Sequence, residues 1–160
     1  MPDITYRFAR PGDEKTILGF IRALAEYERM SDQVVADEAL LREWVFEKKK
    51  AEVLFAMEDG EEVGFALFFH NFSTFLGRAG IYLEDLFVLP EKRGMGYGKG
   101  LLKKLAAIAL ERGCGRLEWA CLDWNRPSID FYTQKMKAVP MDGWTVYRLT
   151  GDTLERAAEL

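Results

Sequence analysis

The sequence predicts an α/β (mixed α+β) fold, with a mixed central sheet of about six or seven strands and helices on both faces. Three observations carry this. Residues 81–89 are almost wholly apolar, the composition of a strand covered on both faces. A break at Pro90 and the glycines Gly94, Gly96, Gly98 and Gly100 then lead into the helical rhythm of Leu101, Leu102 and Leu105. Around that centre, segments of period two and of helical period follow in the order β-α-α-β-β-β-α-β-α-β. At 160 residues, 49% hydrophobic and 30% charged, the chain has material for one domain over 1–160.

Ile4, Tyr6 and Phe8 alternate with polar neighbours and predict a strand over 3–9. Pro11-Gly12-Asp13 ends it, and Asp13 is the expected N-cap of a helix to about residue 29. Its apolar stripe is Ile17, Phe20, Ile21, Leu24 and Tyr27. Asp37 opens a second helix carrying Leu40, Leu41, Trp44 and Val45, and Lys48-Lys49-Lys50 reads as a solvated run. Strands at 53–57 and 63–69 flank a turn centred on Asp59-Gly60. Residues 71–80 read as a looser segment. The helix after the glycine loop runs to Arg112, buries Leu101, Leu105, Ile108 and Ala109, and stops at Gly113. A strand at 117–122 follows, then a helix with Pro127 in its first turn, begun at Asn125 or Arg126. A last strand is expected at 144–149 and a short helix at 153–159.

No run reaches the length of a membrane span, and Met1-Pro-Asp-Ile-Thr5 has no signal-peptide layout, so no membrane partner and a cytoplasmic location are expected. Cys114 and Cys121 stand at either end of one predicted strand, too far apart to bond, and neither has metal-ligand spacing. With His70 the only histidine, a histidine-based metal site or a Ser/His/Asp triad is out of reach, and no metal is expected. A net charge of −4 and a pI near 5.2 speak against nucleic acid as a partner. Residues 91–104 hold five basic residues against one acid, whereas 26–47 hold seven acids against Arg29 and Arg42. A basic cofactor end and an acidic end for a cationic substrate would account for this; so would ordinary solvated helix faces.

A glycine-rich turn into a helix presents unobstructed backbone N–H groups with a positive helix end behind them, a ready phosphate cradle. Two common phosphate loops are excluded by spacing. Gly98-Lys99 is followed by Gly100 where a Walker loop needs Ser or Thr, and the position five before Gly98 is Arg93. In a Gly-x-Gly-x-x-Gly reading the third glycine falls on Lys99 or Leu101. Arg93-Gly-Met-Gly96-Tyr-Gly98 instead resembles the (Arg/Gln)-x-x-Gly-x-(Gly/Ala) loop of the GNAT acetyltransferase superfamily. Taken alone, the loop is also compatible with a βα turn that binds nothing.

Glu84 and Asp85 are adjacent in the most apolar strand. Alternation sends them to opposite faces, so they do not read as a dyad. A buried carboxylate needs a partner or a use, and an arginine bridge or a strand irregularity is the structural alternative. Asn125 and Ser128 lie near a helix start, with Tyr132 one turn after Ser128 on the same face. Capping and core packing account for Ile129 and Phe131, but a buried Tyr132 hydroxyl must find a partner.

Over nearly its whole length the chain resembles the diamine (spermidine/spermine) N-acetyltransferase branch of that superfamily. Ala25-Glu-Tyr-Glu28, Val63-Gly-Phe-Ala66, Tyr82-Leu-Glu-Asp85, Arg93-Gly-x-Gly-x-Gly98, Trp124-Asn-x-Pro-Ser128, Phe131-Tyr132 and Gly143-Trp144 match it in order. The resemblance implies the GNAT fold and a direct transfer from acetyl-CoA to the primary amine of a small molecule, a polyamine or diamine or a lysine-like amine. It makes Glu84 the acceptor of the amine's proton and Tyr132 the acid that protonates the departing thiolate. Leu86, Phe87 and Val88 would hold the thioester and pantetheine by backbone N–H groups. Arg93, Gly94, Met95, Gly96, Tyr97, Gly98 and Lys99 would surround the pyrophosphate, and Asn125 and Ser128 the cofactor arm. Tyr27, Glu28, Glu84 and Asp142 would line the amine site. A homodimer joined in part by C-terminal strands is implied as well.

Ser73-Thr74-Phe75 departs from the Asp-Pro-Trp of the polyamine enzymes, which removes an anionic contact and leaves both polyamines and lysine-like amines such as thialysine, which need fewer such contacts, open as acceptors. The segment 135–140 also lacks the glycine expected after the tyrosine helix. Alternatives are a GNAT enzyme with another acceptor (an amino acid, an aminoglycoside or a protein amine) and a non-catalytic acyl-CoA sensor, for which Glu84 and Tyr132 would be unnecessary.

Overall fold

A computed structural model describes residues 2–160. They form two units, the first ending at Ala120 and the second spanning Cys121–Leu160. The first holds one sheet in the order β1-β2-β3-β4-β5: Ile4–Phe8, Glu52–Glu58, Glu61–Ser73, Arg78–Val88 and Leu117–Trp119. β1 to β4 are antiparallel neighbours and β5 joins β4 in parallel, so the sheet is mixed as expected. It has five strands rather than six or seven. Residues 144–149 form no strand, because aromatic and β-branched residues make one only when a neighbour pairs with them. β5 is shorter than the expected 117–122, since Leu117–Trp119 alone meet β4. The segment 71–80 is not loose. β3 and β4 stay paired as far as Ser73 and Arg78, and the Ser73 hydroxyl accepts the Leu76 N–H at 3.1 Å across the turn. Phe72, Phe75 and Leu76 are exposed at that tip, so the segment has no core-facing period to read.

Residues opposite one another on paired strands share a face. Val53, Phe55, Met57, Phe65 and Phe87 line one face and pack against Ile17, Leu18 and Phe20 of α1 (Glu14–Tyr27). Leu41 and Val45 of α2 complete this layer; α2 is Glu38–Leu41 and continues as a π-helical turn, Arg42–Glu47. Phe20 stacks on Phe65 with ring centroids 5.3 Å apart, and fully burying a side chain of this kind is worth about 1.5–3 kcal/mol. Asp37 caps α2, accepting the Leu40 N–H at 2.8 Å. Asp13 stands at the N-cap of α1 but does not cap it. Its carboxylate takes the Arg7 guanidinium at 2.9 and 3.1 Å and the Arg10 N–H at 2.8 Å.

The opposite face carries α3 (Tyr97–Glu111), with Leu101, Leu105, Ile108 and Ala109 buried as expected. Gly100 is required there, because a Cβ would collide with the hydroxyl of Tyr6 on β1. The second unit contains α4 (Arg126–Asp130), widened into a π-helical turn over Phe131–Lys135, and α5 (Gly151–Ala157), whose Thr150 and Thr153 form a capping box.

Candidate active site

The strand carrying Glu84 and Asp85 does not alternate simply. Leu67 of β3 faces Asp85 and Phe68 faces Leu83, which leaves Glu84 as an extra residue in a β-bulge. The bulge pushes Glu84 out, and it is exposed where the apolar sequence predicts burial. Asp85, opposite Leu67, belongs to the α1 face and is half-buried. The two carboxylates do interact, which corrects the expectation from alternation. Burial first, then the charges of Glu84 and Glu28, push the Asp85 carboxyl up to about 6. Glu28, at the C-cap of α1, is itself raised by burial. Among the described residues no cation bridges Asp85, so the strand irregularity, not an arginine, accounts for its position.

Tyr27, at the end of α1, meets Arg93 of the glycine loop. The guanidinium lies 4.8 Å from the Tyr27 ring centre and 5.0 Å from that of Phe87, and its Nε donates to the Val88 carbonyl at 3.0 Å. Arg93 therefore braces the start of the loop against β4. Gly94 and Gly96 have φ of 79° and 92°, and a Cβ at either would meet nothing within 4 Å. Backbone conformation, not crowding, demands glycine at these two positions. The first bond of α3 runs from the Gly100 N–H to the Gly96 carbonyl at 2.9 Å. The N–H groups of Tyr97, Gly98 and Lys99 precede it in the ladder and have no intrahelical acceptor. The loop thus offers a row of donors with open space above its glycines, which suits a phosphate. The Tyr97 side chain does not share in this. It is buried, and its hydroxyl donates to Glu58 at 2.7 Å, so only the Tyr97 backbone can face a ligand. Lys92 also pairs with Glu58, leaving Lys99, Lys103 and Lys104 as the exposed lysines of this segment.

β5 accompanies β4 only from Ile81 to Leu83. From Glu84 to Val88, the edge of β4 turned away from β3 has no strand beside it among the described residues. Leu89 donates its N–H to the Val63 carbonyl, so alternation turns the Phe87 backbone toward β3 and the Leu86 and Val88 N–H groups toward the open edge. Of the expected trio, Phe87 instead contributes its ring to the core.

In the second unit, Asn125 holds the N-cap position of α4 and its carbonyl accepts the Ile129 N–H at 3.0 Å; its side chain does not cap. Ser128 and Tyr132 follow four residues apart, both half-buried, with the Tyr132 ring edge-on to Phe131 at 6.0 Å. Asp142 is exposed in a turn closed by the Trp144 N–H and the Met141 carbonyl. The structure therefore assembles Tyr27, Glu28, Glu84, Asp85 and the loop in one unit, and Asn125, Ser128 and Tyr132 on one helix in the other. Sequence reasoning gave no role to Asp85 or Glu58. Adjacent carboxylates in an apolar strand signal the first, and nothing local signals the second. No group of three or more metal-ligating side chains assembles among the described residues, and no helix there is long and apolar enough to cross a membrane.

Residues 17–137 match the model of the acetyltransferase (GNAT) family. Thialysine N-epsilon-acetyltransferase of Bos taurus is 38% identical over 169 aligned positions covering 99% of each chain. The spermidine/spermine N(1)-acetyltransferase-like protein 1 of Homo sapiens is 30% identical over 92% of this chain and 23% of its own length. Among solved structures, an integron cassette protein from the mobile metagenome of V. cholerae superimposes with a TM-score of 0.80 at 28% identity, covering 98% of each chain. A glycine loop of the right spacing, a half-paired central strand and relatives that align from end to end converge: the chain belongs to the GNAT acetyltransferase family.

Proposed function

We propose that this chain is a cytoplasmic, acetyl-CoA-dependent N-acetyltransferase whose acceptor is the side-chain amine of a small lysine-like molecule. The observation that carries this is the bulge, which sets Glu84 and Asp85 beside Glu28 at the point where the β4 edge becomes free. Clustered carboxylates attract an ammonium group, and a free strand edge can take an extended amide chain by strand-like hydrogen bonding. The end-to-end match to a thialysine enzyme favours a lysine-like acceptor over a polyamine. So does Ser73, which caps the far turn of the β3-β4 hairpin six residues, about 20 Å, along β3 from the bulge. A panel of spermidine, spermine, putrescine, lysine, thialysine and an aminoglycoside, read by CoA-thiol release, should show thialysine and lysine turned over fastest. Fastest turnover of the polyamines would reverse that assignment, and silence across the panel with acetyl-CoA still bound would favour the sensor reading.

Acetyl-CoA would supply an acetyl group activated as a thioester. The Leu86 and Val88 N–H groups would hold its pantetheine region. The backbone of Gly94, Met95, Gly96, Tyr97, Gly98 and Lys99 would hold the pyrophosphate, with Arg93 fixing the loop and Asn125 and Ser128 meeting the arm. A lysine-like amine titrates near 10.4 and arrives as a cation, so a proton must leave before nitrogen can attack. Glu84, solvent-exposed, accepts it through water. Tyr27, Glu28, Asp85 and Asp142 attract and orient the cation, and the Tyr132 hydroxyl protonates the leaving sulfur. Glu84→Gln should lose most activity at low pH, where free amine is scarcest; a uniform loss at every pH would make Glu84 structural. Tyr132→Phe should cut kcat about 100-fold or more while acetyl-CoA affinity holds, and unchanged turnover would remove the acid role.

Asp85 generates a prediction of its own. Its carboxyl is raised from an ordinary 3.8 to about 6, so the folded chain binds this proton more tightly than the unfolded one. The stability this provides is present below about pH 4 and lost as pH rises through 6. Asp85→Asn should therefore be more stable than the parent at pH 7.5, by roughly 2 kcal/mol after allowance for solvent screening, and no more stable at pH 4. Its KM for the amine should rise at pH 7.5. Melting curves that run parallel at both pH values would show that Asp85 is not the strained group.

We further propose a homodimer. Trp144, Val146, Tyr147 and Leu149 are exposed in a segment of strand composition that pairs with no strand among the described residues, and a second copy would supply one. Sedimentation should give a dimer for the parent and a monomer for Val146→Lys; a monomeric parent at micromolar concentration ends the proposal.

A further inference from the structure

Glu58 ends β2, beside the Asp59-Gly60 turn, and belongs to none of the groups assigned so far. Its carboxylate is largely buried, accepts the Tyr97 hydroxyl at 2.7 Å and pairs with the Lys92 ammonium. Lys92 and Tyr97 bracket Arg93-Gly94-Met95-Gly96, so one carboxylate holds both ends of the glycine loop. Tyr97 is 1% exposed, which leaves its ring no freedom to swing out. The turn that carries Glu58 is itself tied to the chain start. Asp59 donates its N–H to the Asp3 carbonyl at 2.9 Å, and Asp3 returns its N–H to the Asp59 carboxylate at 2.8 Å.

Such a tie matters because two left-handed glycines give the loop more backbone freedom than any other turn residues would. Backbone donors stabilise an anion most when they are already aimed, since ordering them at the moment of binding is paid out of affinity. A carboxylate near a phosphate site is otherwise a liability. Here Lys92 neutralises it, and the phenol takes one of its oxygens.

We infer that Glu58 is a positioning residue, which by holding Lys92 and Tyr97 presets the Gly94 to Lys99 backbone for the pyrophosphate of acetyl-CoA. This rests on the cofactor assignment proposed above. Titration is consistent with a tie closed throughout neutral pH. The Lys92 and Tyr97 hydrogen bonds hold Glu58 below the usual carboxylate range, and burial and Glu58 push Tyr97 up to about 12. The contribution of Glu58 is thus present above the ordinary carboxylate pKa and lost as pH falls through its lowered value.

Calorimetric titration of acetyl-CoA into the parent, Tyr97→Phe and Glu58→Gln, with amide hydrogen exchange on each, tests this. Tyr97→Phe keeps the buried ring and removes only the hydroxyl, so it should fold. It should bind acetyl-CoA about three- to tenfold more weakly, with KM for acetyl-CoA raised and kcat at saturation little changed. Exchange at Gly94 to Lys99 should accelerate in both variants without ligand. A parent that binds no acetyl-CoA would overturn the cofactor assignment and this inference with it. A parent that binds, beside folded variants that bind equally well with unchanged exchange, would overturn the role of Glu58 alone.

Discussion

A central strand that loses its neighbour half-way along leaves backbone donors and acceptors which something other than the sheet must satisfy. β4 is in this position. β3 follows it along its length, while β5 stays beside it only from Ile81 to Leu83. The bulge falls at the next residue, Glu84, so ladder register and neighbour are lost together. The carboxylate cluster and the free edge of β4 both depend on this coincidence. The bulge changes which residues point toward the open edge, placing the Leu86 and Val88 N–H groups there, and it turns one carboxylate to solvent and the next toward α1. Without the bulge, Glu84 would occupy a paired position in the ladder rather than standing out to solvent beside Asp85.

The glycine loop shows how one residue type serves separate needs within a few positions. Gly94 and Gly96 are fixed by φ, and Gly100 by the approach of Tyr6. Gly98 is required by neither, since a Cβ there would make ordinary contacts at 3.8 Å with Leu86 and Val88. That agrees with a loop pattern that admits alanine at this position. The three cases cannot be told apart by spacing, because conformation and third-party contacts are not written in a run of glycines.

The readable part of the chain was the part governed by local periodicity. The apolar 81–89 strand, the break at Pro90 and the buried Leu101, Leu105 and Ile108 stripe of α3 each follow from near neighbours in sequence. What sequence could not yield depends on distant partners. Asp13 and Asp37 occupy equivalent positions before helices, yet Arg7 claims the first and leaves the second to cap. Glu58 and Tyr97 stand far apart in the chain and meet only because β2 runs antiparallel to β1 beneath α3. Residues 144–149 have the composition of a strand, but a strand is a property of two segments, and no segment among the described residues pairs with them.

Net charge over a stretch proved a weaker guide than the position of single groups. Of the seven acids in residues 26–47, Asp37 is a helix cap and Glu43 pairs with Lys48, while Glu28 alone is felt by Asp85. Of the five basic residues after β4, Lys92 is neutralised by Glu58 and Arg93 is stacked on two rings. Several of the charges that make up the acidic and basic ends are therefore occupied with holding the fold. Attraction for a cation at one place and for an anion at another falls to few groups, among them the carboxylates gathered by the bulge and the N–H groups exposed at the start of α3. The carboxylates are placed by an irregularity of the sheet, and the N–H groups by the beginning of a helix, where the ladder has no acceptor to offer them.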